Sequence, residues 1–148
     1  MQVPGEAPRP VIVAGVDGSD DSKEALRWAA RQARLIGGEV HAVSAWQVPA
    51  TIFIVPSYTE TDYYQDAAQT LNKAVLDALG RDPGVPVITR LVQSRPAVAL
   101  IKAAEQAELL VVGGHGHGEL PGMHLGSVAS YCVHHAPCPV TVVCHARR

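Results

Sequence analysis

The sequence predicts an α/β fold: a single domain built on an open parallel five-stranded sheet with helices on both faces. Three observations carry this expectation. Five short apolar runs, at residues 11–16, 39–46, 85–92, 109–112 and 139–143, alternate with four stretches of helical period. Short turns join them, as in strand–helix–strand units with right-handed crossovers. The strand runs also alternate poorly between apolar and polar, as expected where helices cover both faces of a sheet.

Taken in order, residues 1–9 carry Pro4 and Pro8 with little apolar content, and read as a loose leader to a domain over residues 10–145. The run 11–16 is a short buried strand. Asp17-Gly18-Ser19 turns the chain, and Asp20 to Ser22 offer caps to a helix running to about Ile36. Its apolar stripe is Ala25, Leu26, Ala29, Ala30, Ala33 and Ile36, with Lys23, Glu24, Arg27, Arg31 and Arg34 on the wet side. Gly37-Gly38 stops it. The second strand spans 39–46, and its His41 reads as a strand residue near the sheet surface.

Residues 47–61 hold Pro49, Pro56 and the run Ile52-Phe53-Ile54-Val55 without caps or a clear period. They read either as an insertion packed on its own sheet edge or as a cover over a ligand or partner. From Tyr64 through Ala67, Leu71, Ala74, Val75 and Ala78 to Leu79 runs the cleanest amphipathic stripe of the chain, closed by Gly80. Pro86 argues for an outer position of the third strand. Ser94-Arg95-Pro96 opens a helix with proline in its first turn. A fourth strand, a glycine-rich loop, a helix to about His135 and a last strand complete the chain.

That loop, Gly113-Gly114-His115-Gly116-His117-Gly118-Glu119 and on to Gly126-Ser127, links a buried strand to a helix start near Ser127. Glycines let backbone N–H groups come close to phosphate oxygens, and a helix start adds unpaired donors and the positive end of its dipole. The spacing is neither a P-loop, which needs Gly-Lys-Ser/Thr, nor a dinucleotide fingerprint.

With its exit Val133-His134-His135-Ala136-Pro137-Cys138-Pro139-Val140, and with Val13-Ala14-Gly15-Val16-Asp17-Gly18-Ser19 at the other end of the chain, the loop resembles the ATP-binding branch of the universal stress protein family. The resemblance runs from about Val11 to Val143. It implies a Rossmann-like strand order 3-2-1-4-5, which brings the two motifs side by side where the winding reverses.

It further implies a stress-response module that binds ATP or ADP with Mg2+ and acts through a change in conformation or in protein partner. Gly15 and Val16 would line the pocket by their backbone. Asp17 would meet the ribose or hold magnesium; alternatively its carboxylate closes an Asx turn on Ser19. Ala45, near the end of strand two, would meet the adenine. Gly113, Gly114, His115, Gly116, His117, Gly118, Glu119, Gly126, Ser127 and Val128 would surround the phosphates. A homodimer through the last strand, Val140 to Val143, is implied as well, and fits an apolar edge that invites pairing.

One departure from the family is chemical: no Lys or Arg occurs from Gly113 through Ser127, where His115, His117 and His124 stand instead. Three imidazoles also permit a transition-metal reading, but a flexible glycine loop gives them no fixed tetrahedral frame. No Gly-x-Ser-x-Gly elbow, HExxH or paired carboxylate accompanies the loop, so an enzyme is not expected, although a bound Mg-ATP could undergo slow hydrolysis. The alternatives to an ATP-responsive module are that slow ATPase, and a dimeric module for another nucleotide such as a cyclic one.

Composition restricts the partners. The formal charge of −2 does not advertise nucleic acid or anionic membrane. No apolar run is long enough to span a bilayer, and the first residues lack the pattern of a signal peptide, so the expected place is the cytoplasm. Cys132, Cys138 and Cys144 form no zinc pattern and are expected as free thiols.

Overall fold

The structure, a computed structural model, describes residues 8–50, 58–116 and 124–145. The elements follow as β1 (Val11–Gly15), α1 (Asp20–Ile36), β2 (Glu39–Trp46), α2 (Glu60–Leu79), β3 (Val87–Gln93), α3 (Pro96–Ala104), β4 (Leu109–Gly113), α4 (Ser127–His135) and β5 (Val140–Val143). All strand pairs are parallel, in the order β3-β2-β1-β4-β5. This is the predicted fold class and strand order.

Alternation along β1 divides the core. Ile12 and Ala14 face α1 and α2, where Leu26, Ala29, Ala33 and Leu71 pack on them. Val13 faces α3 and α4, beside Leu100, Leu110, Ala129 and Cys132. Ala25, Ala29, Ala30 and Ala33 are buried, so the stripe of α1 nearest the sheet is built of methyl groups and the helix can lie close. Full burial of Leu26 alone contributes on the order of 1.5–3 kcal/mol.

Three boundaries differ from the sequence expectation, each for a local reason. Ser19, rather than residues 20–22, caps α1, its hydroxyl accepting from the Ser22 N–H at 3.2 Å. α2 begins at Glu60 instead of Tyr64, because Thr59 and Asp62 form a reciprocal capping box: Thr59 N–H donates to the Asp62 carboxylate at 2.7 Å and Asp62 N–H to Thr59 Oγ1 at 3.3 Å. β3 begins after Pro86, whose carbonyl accepts from Val40 N–H at 2.9 Å but which has no N–H to extend the ladder.

The carboxyl edge of the sheet is stepped. β1 ends at Gly15 opposite Val43, with one further bond from Val16 N–H to the Val43 carbonyl at 2.9 Å. β2 and β3 remain paired three residues longer, to Trp46 opposite Gln93. No helix among the described residues is long and apolar enough to cross a membrane.

Candidate functional site

The step and the reversal of winding between β1 and β4 leave a cavity of about 420 Å³ at the carboxyl ends of the strands. Gly15, Val16 and Asp17 form its floor, and Gly113 to Gly116 with Gly126 to Ala129 form one wall. Val43, Ser44 and Ala45 of β2, Ala67 and Thr70 of α2, and Pro96, Ala99 and Leu100 of α3 form the other. The two motifs at opposite ends of the chain therefore share one cavity.

The loop wall is held at both ends. Gly114 N–H donates to the Val143 carbonyl at 2.9 Å, extending the β4–β5 ladder, and Gly126 N–H donates to the Gly114 carbonyl at 2.7 Å. Glycine is needed at Gly113 because a Cβ there would lie 2.8 Å from the Asp21 carbonyl carbon and 2.9 Å from the Ser22 nitrogen. The loop thus packs directly on the first turn of α1.

At the exit of the loop, Gly126 is the N-cap of α4 and Ser127 its first helical residue, the helix start expected near Ser127. The first helical bond runs from Ser130 N–H to the Gly126 carbonyl. The N–H groups of Ser127, Val128 and Ala129 precede it, without intrahelical acceptors, on residues that line the cavity. Donors and dipole together suit an anion.

Asp17 closes the Asx turn and also borders the cavity. Its Oδ1 accepts from Ser19 N–H at 2.9 Å and from the Ser19 hydroxyl, an Asx turn completed by Gly18 at φ 83°. The residue is exposed and borders the cavity. Ala45 lies two residues beyond the last β1–β2 bond, on the apolar side of the cavity.

His115 also lines the cavity, but its ring is tied elsewhere: Nδ1 lies 3.1 Å from Asp21 Oδ2, and its backbone N–H donates to the same oxygen at 2.9 Å. His145 N–H donates to Asp21 Oδ1 at 2.9 Å, with its Nδ1 2.5 Å from that oxygen. Burial raises the Asp21 carboxyl, and these hydrogen bonds from His145 and His115 outweigh it, holding the group below its ordinary value. His117, Gly118 and Glu119 lie outside the described residues.

Sequence reasoning missed Asp21, which it treated only as a cap. The signal was present: Asp21, Ala25 and Ala29 stand four apart on the buried stripe of α1. It also missed Ala67, Thr70, Ala99 and Leu100. Their stripes were read as core, and nothing local marks the turn of a helix that overlooks a cavity.

The family model for the universal stress proteins matches residues 9–144. A universal stress protein of Mycobacterium tuberculosis (strain ATCC 25618 / H37Rv) is 37% identical over 140 residues, which make up 95% of this chain and 47% of the relative. The chain thus spans about half the length of the curated relatives it matches first. Among solved structures, a universal stress protein in complex with cAMP aligns at a TM-score of 0.71 and 25% identity, covering 95% of this chain and 100% of the other. The universal stress protein of Archaeoglobus fulgidus in complex with dAMP aligns at 0.66 and 27%, covering 91% and 97%. Fold, strand order, loop and family match agree: the chain belongs to the universal stress protein family.

Proposed function

We propose that the chain binds an adenine nucleotide, ATP or ADP with Mg2+, and converts occupancy of its cavity into a change of conformation or protein partner. The observation that carries this reading is the juxtaposition of Asp17 with the loop Gly113 to Gly116 and the first turn of α4 around one cavity. Phosphates would meet the N–H groups of Ser127, Val128 and Ala129. The base would lie toward Ala45, Ala67, Ala99 and Leu100, where few polar groups compete for it. The complexes of related proteins with cAMP and dAMP support an adenine ligand.

A second reading has its own support. With no Lys or Arg from Gly113 through Ser127, the loop has little side-chain charge with which to balance a triphosphate, which favours a ligand of lower charge such as a cyclic monophosphate. Slow ATP hydrolysis in the same cavity is a third outcome.

Calorimetric titration of the full chain with ATP, ADP, AMP and cAMP, with and without Mg2+, ranks the ligands, and overnight incubation with ATP scores hydrolysis. Gly116→Val, which puts a branched side chain on the phosphate wall, should weaken the preferred nucleotide about tenfold or more, worth about 1.4 kcal/mol. A folded Gly116→Val chain with wild-type affinity, or a wild-type chain that binds none of the four, overturns the reading.

A further inference from the structure

Behind the phosphate wall, on the side of α1 and the end of β5, three chain segments far apart in sequence meet at one buried carboxylate. Asp21, in the first turn of α1, is 4% exposed. His115 reaches its Oδ2 from 94 residues away, and His145 its Oδ1 from 124 residues away. Cys144 completes the group: its thiol, the His115 ring nitrogen and the Asp21 carboxylate all lie within 4.8 Å of one another. The sulfur leans over Gly114, so closely that a Cβ on Gly114 would collide with it. A glycine at that position leaves the thiol its place beside the carboxylate.

We propose that Asp21, His115 and Cys144 form a zinc site, with His145 orienting the Asp21 carboxylate from behind. Thiolate, imidazole and carboxylate together are donors that zinc accepts in a tetrahedral frame, whereas magnesium prefers oxygen donors in an octahedron. Bonds of about 2.0–2.3 Å to a tetrahedral ion put neighbouring ligand atoms about 3.3–3.8 Å apart. A group spanning 4.8 Å needs to close by only about 1 Å. Cys144 is exposed and can make that movement. His145, on the other oxygen of the carboxylate, has the place of an outer partner that fixes a ligand's orientation.

Three protein ligands leave a fourth position for water or another oxygen donor. His115 belongs both to this group and to the cavity wall, so an ion here would fix the loop from behind. The donor set differs from the three loop histidines of the sequence reading: only His115 is common to both. The frame here is supplied by α1 and the segment that follows β5.

The test uses the untagged full chain, stripped of metal and free of nucleotide, so that its failure is independent of the nucleotide reading. Titration with Co2+ should give one equivalent bound, with intense visible bands of tetrahedral cobalt and a thiolate-to-cobalt charge-transfer band, all displaced by Zn2+. Cys144→Ser should abolish the charge-transfer band and weaken zinc at least about tenfold. His115→Gln should weaken it similarly, and Cys138→Ser should behave as wild type. Cys144 is exposed, so its serine variant is expected to stay folded, which circular dichroism checks directly. Absence of the charge-transfer band in the wild-type chain, or equal zinc affinity in wild type and Cys144→Ser, overturns the site.

Discussion

The N–H of Gly126 donates to the carbonyl of Gly114 at 2.7 Å, joining the two ends of the glycine-rich loop across eleven intervening residues. Gly126 has φ −70° and ψ 168°, a backbone that proline also adopts. Gly126→Pro therefore removes the donor with little other change at that residue, and leaves the Gly114 carbonyl without it. We expect a loss of about 1–3 kcal/mol of stability and a weakened nucleotide, relative to Gly126→Ala, which keeps the N–H. Thermal unfolding and calorimetry on the two variants are the measurements; equal behaviour would show that the bond does not hold the wall.

Three glycines, Gly113, Gly15 and Gly37, should respond in a graded way to alanine. At Gly113 the new Cβ would meet the backbone of Asp21 and Ser22 within 2.9 Å, and neither can yield without moving α1. At Gly15 it would meet Leu100 Cδ1 at 2.9 Å, the end of a flexible side chain. Gly37 has open space but φ 67°. Overpacking against backbone costs about 1–3 kcal/mol, and a left-handed alanine about 1 kcal/mol. Denaturant unfolding should rank Gly113→Ala as the most damaging of the three.

Cys132 is fully buried in α4, and burial pushes its thiol from 9.0 up to about 11. The folded chain keeps this proton where the unfolded chain has already lost it. The resulting stability is complete below about pH 9 and lost as pH rises to about 11, on the order of 3 kcal/mol in all at about 1.4 kcal/mol per unit. The alkaline loss should shrink in Cys132→Ala when each variant is compared with its own stability at pH 8. At that pH, iodoacetamide should modify exposed Cys144 and spare Cys132 until the chain unfolds.

We propose that β5 forms a dimer across a two-fold axis. It is an edge strand, and its hydrogen bonds identify the open side: the carbonyls of Pro139 and Val143 accept from β4, so the alternating main-chain groups of Val140 and Val142 face outward. Val142→Pro removes an outward donor and should lower dimer affinity about tenfold, whereas Val143→Pro breaks the inner ladder and should lower stability instead. Sedimentation of the wild-type chain at high micromolar concentration decides; a monomer there ends the proposal.

The sheet and α1 were legible because their signals are local. Buried strands such as Val11–Gly15 are short apolar runs, and the alanine stripe of α1 keeps its period from Ala25 to Ala33, about two turns. The start of α2 was not legible, since its capping box uses Asp62 where glutamate or glutamine is the usual signature. In the site, glycines announced the loop because glycine marks close approach in sequence itself. Ala67 and Thr70 announced nothing, because an alanine beside a cavity looks the same in sequence as an alanine in a core. The partnership of Asp21 with His115 and His145 was equally silent, since two crossovers of the chain create it.

The unequal ends of the strands amount to a ruler. β2 outruns β1 by the three residues from Val43 to Trp46, about 10 Å at the rise of an extended chain. The register of the strands sets that overhang, independently of the shape of any side chain. One residue added to β1 before Gly15 would shorten the measure by about a third and turn Gly15 to Asp17 to the opposite face. The depth of this step is thus written as a difference between two strand lengths, a quantity that no single point substitution on the cavity wall changes.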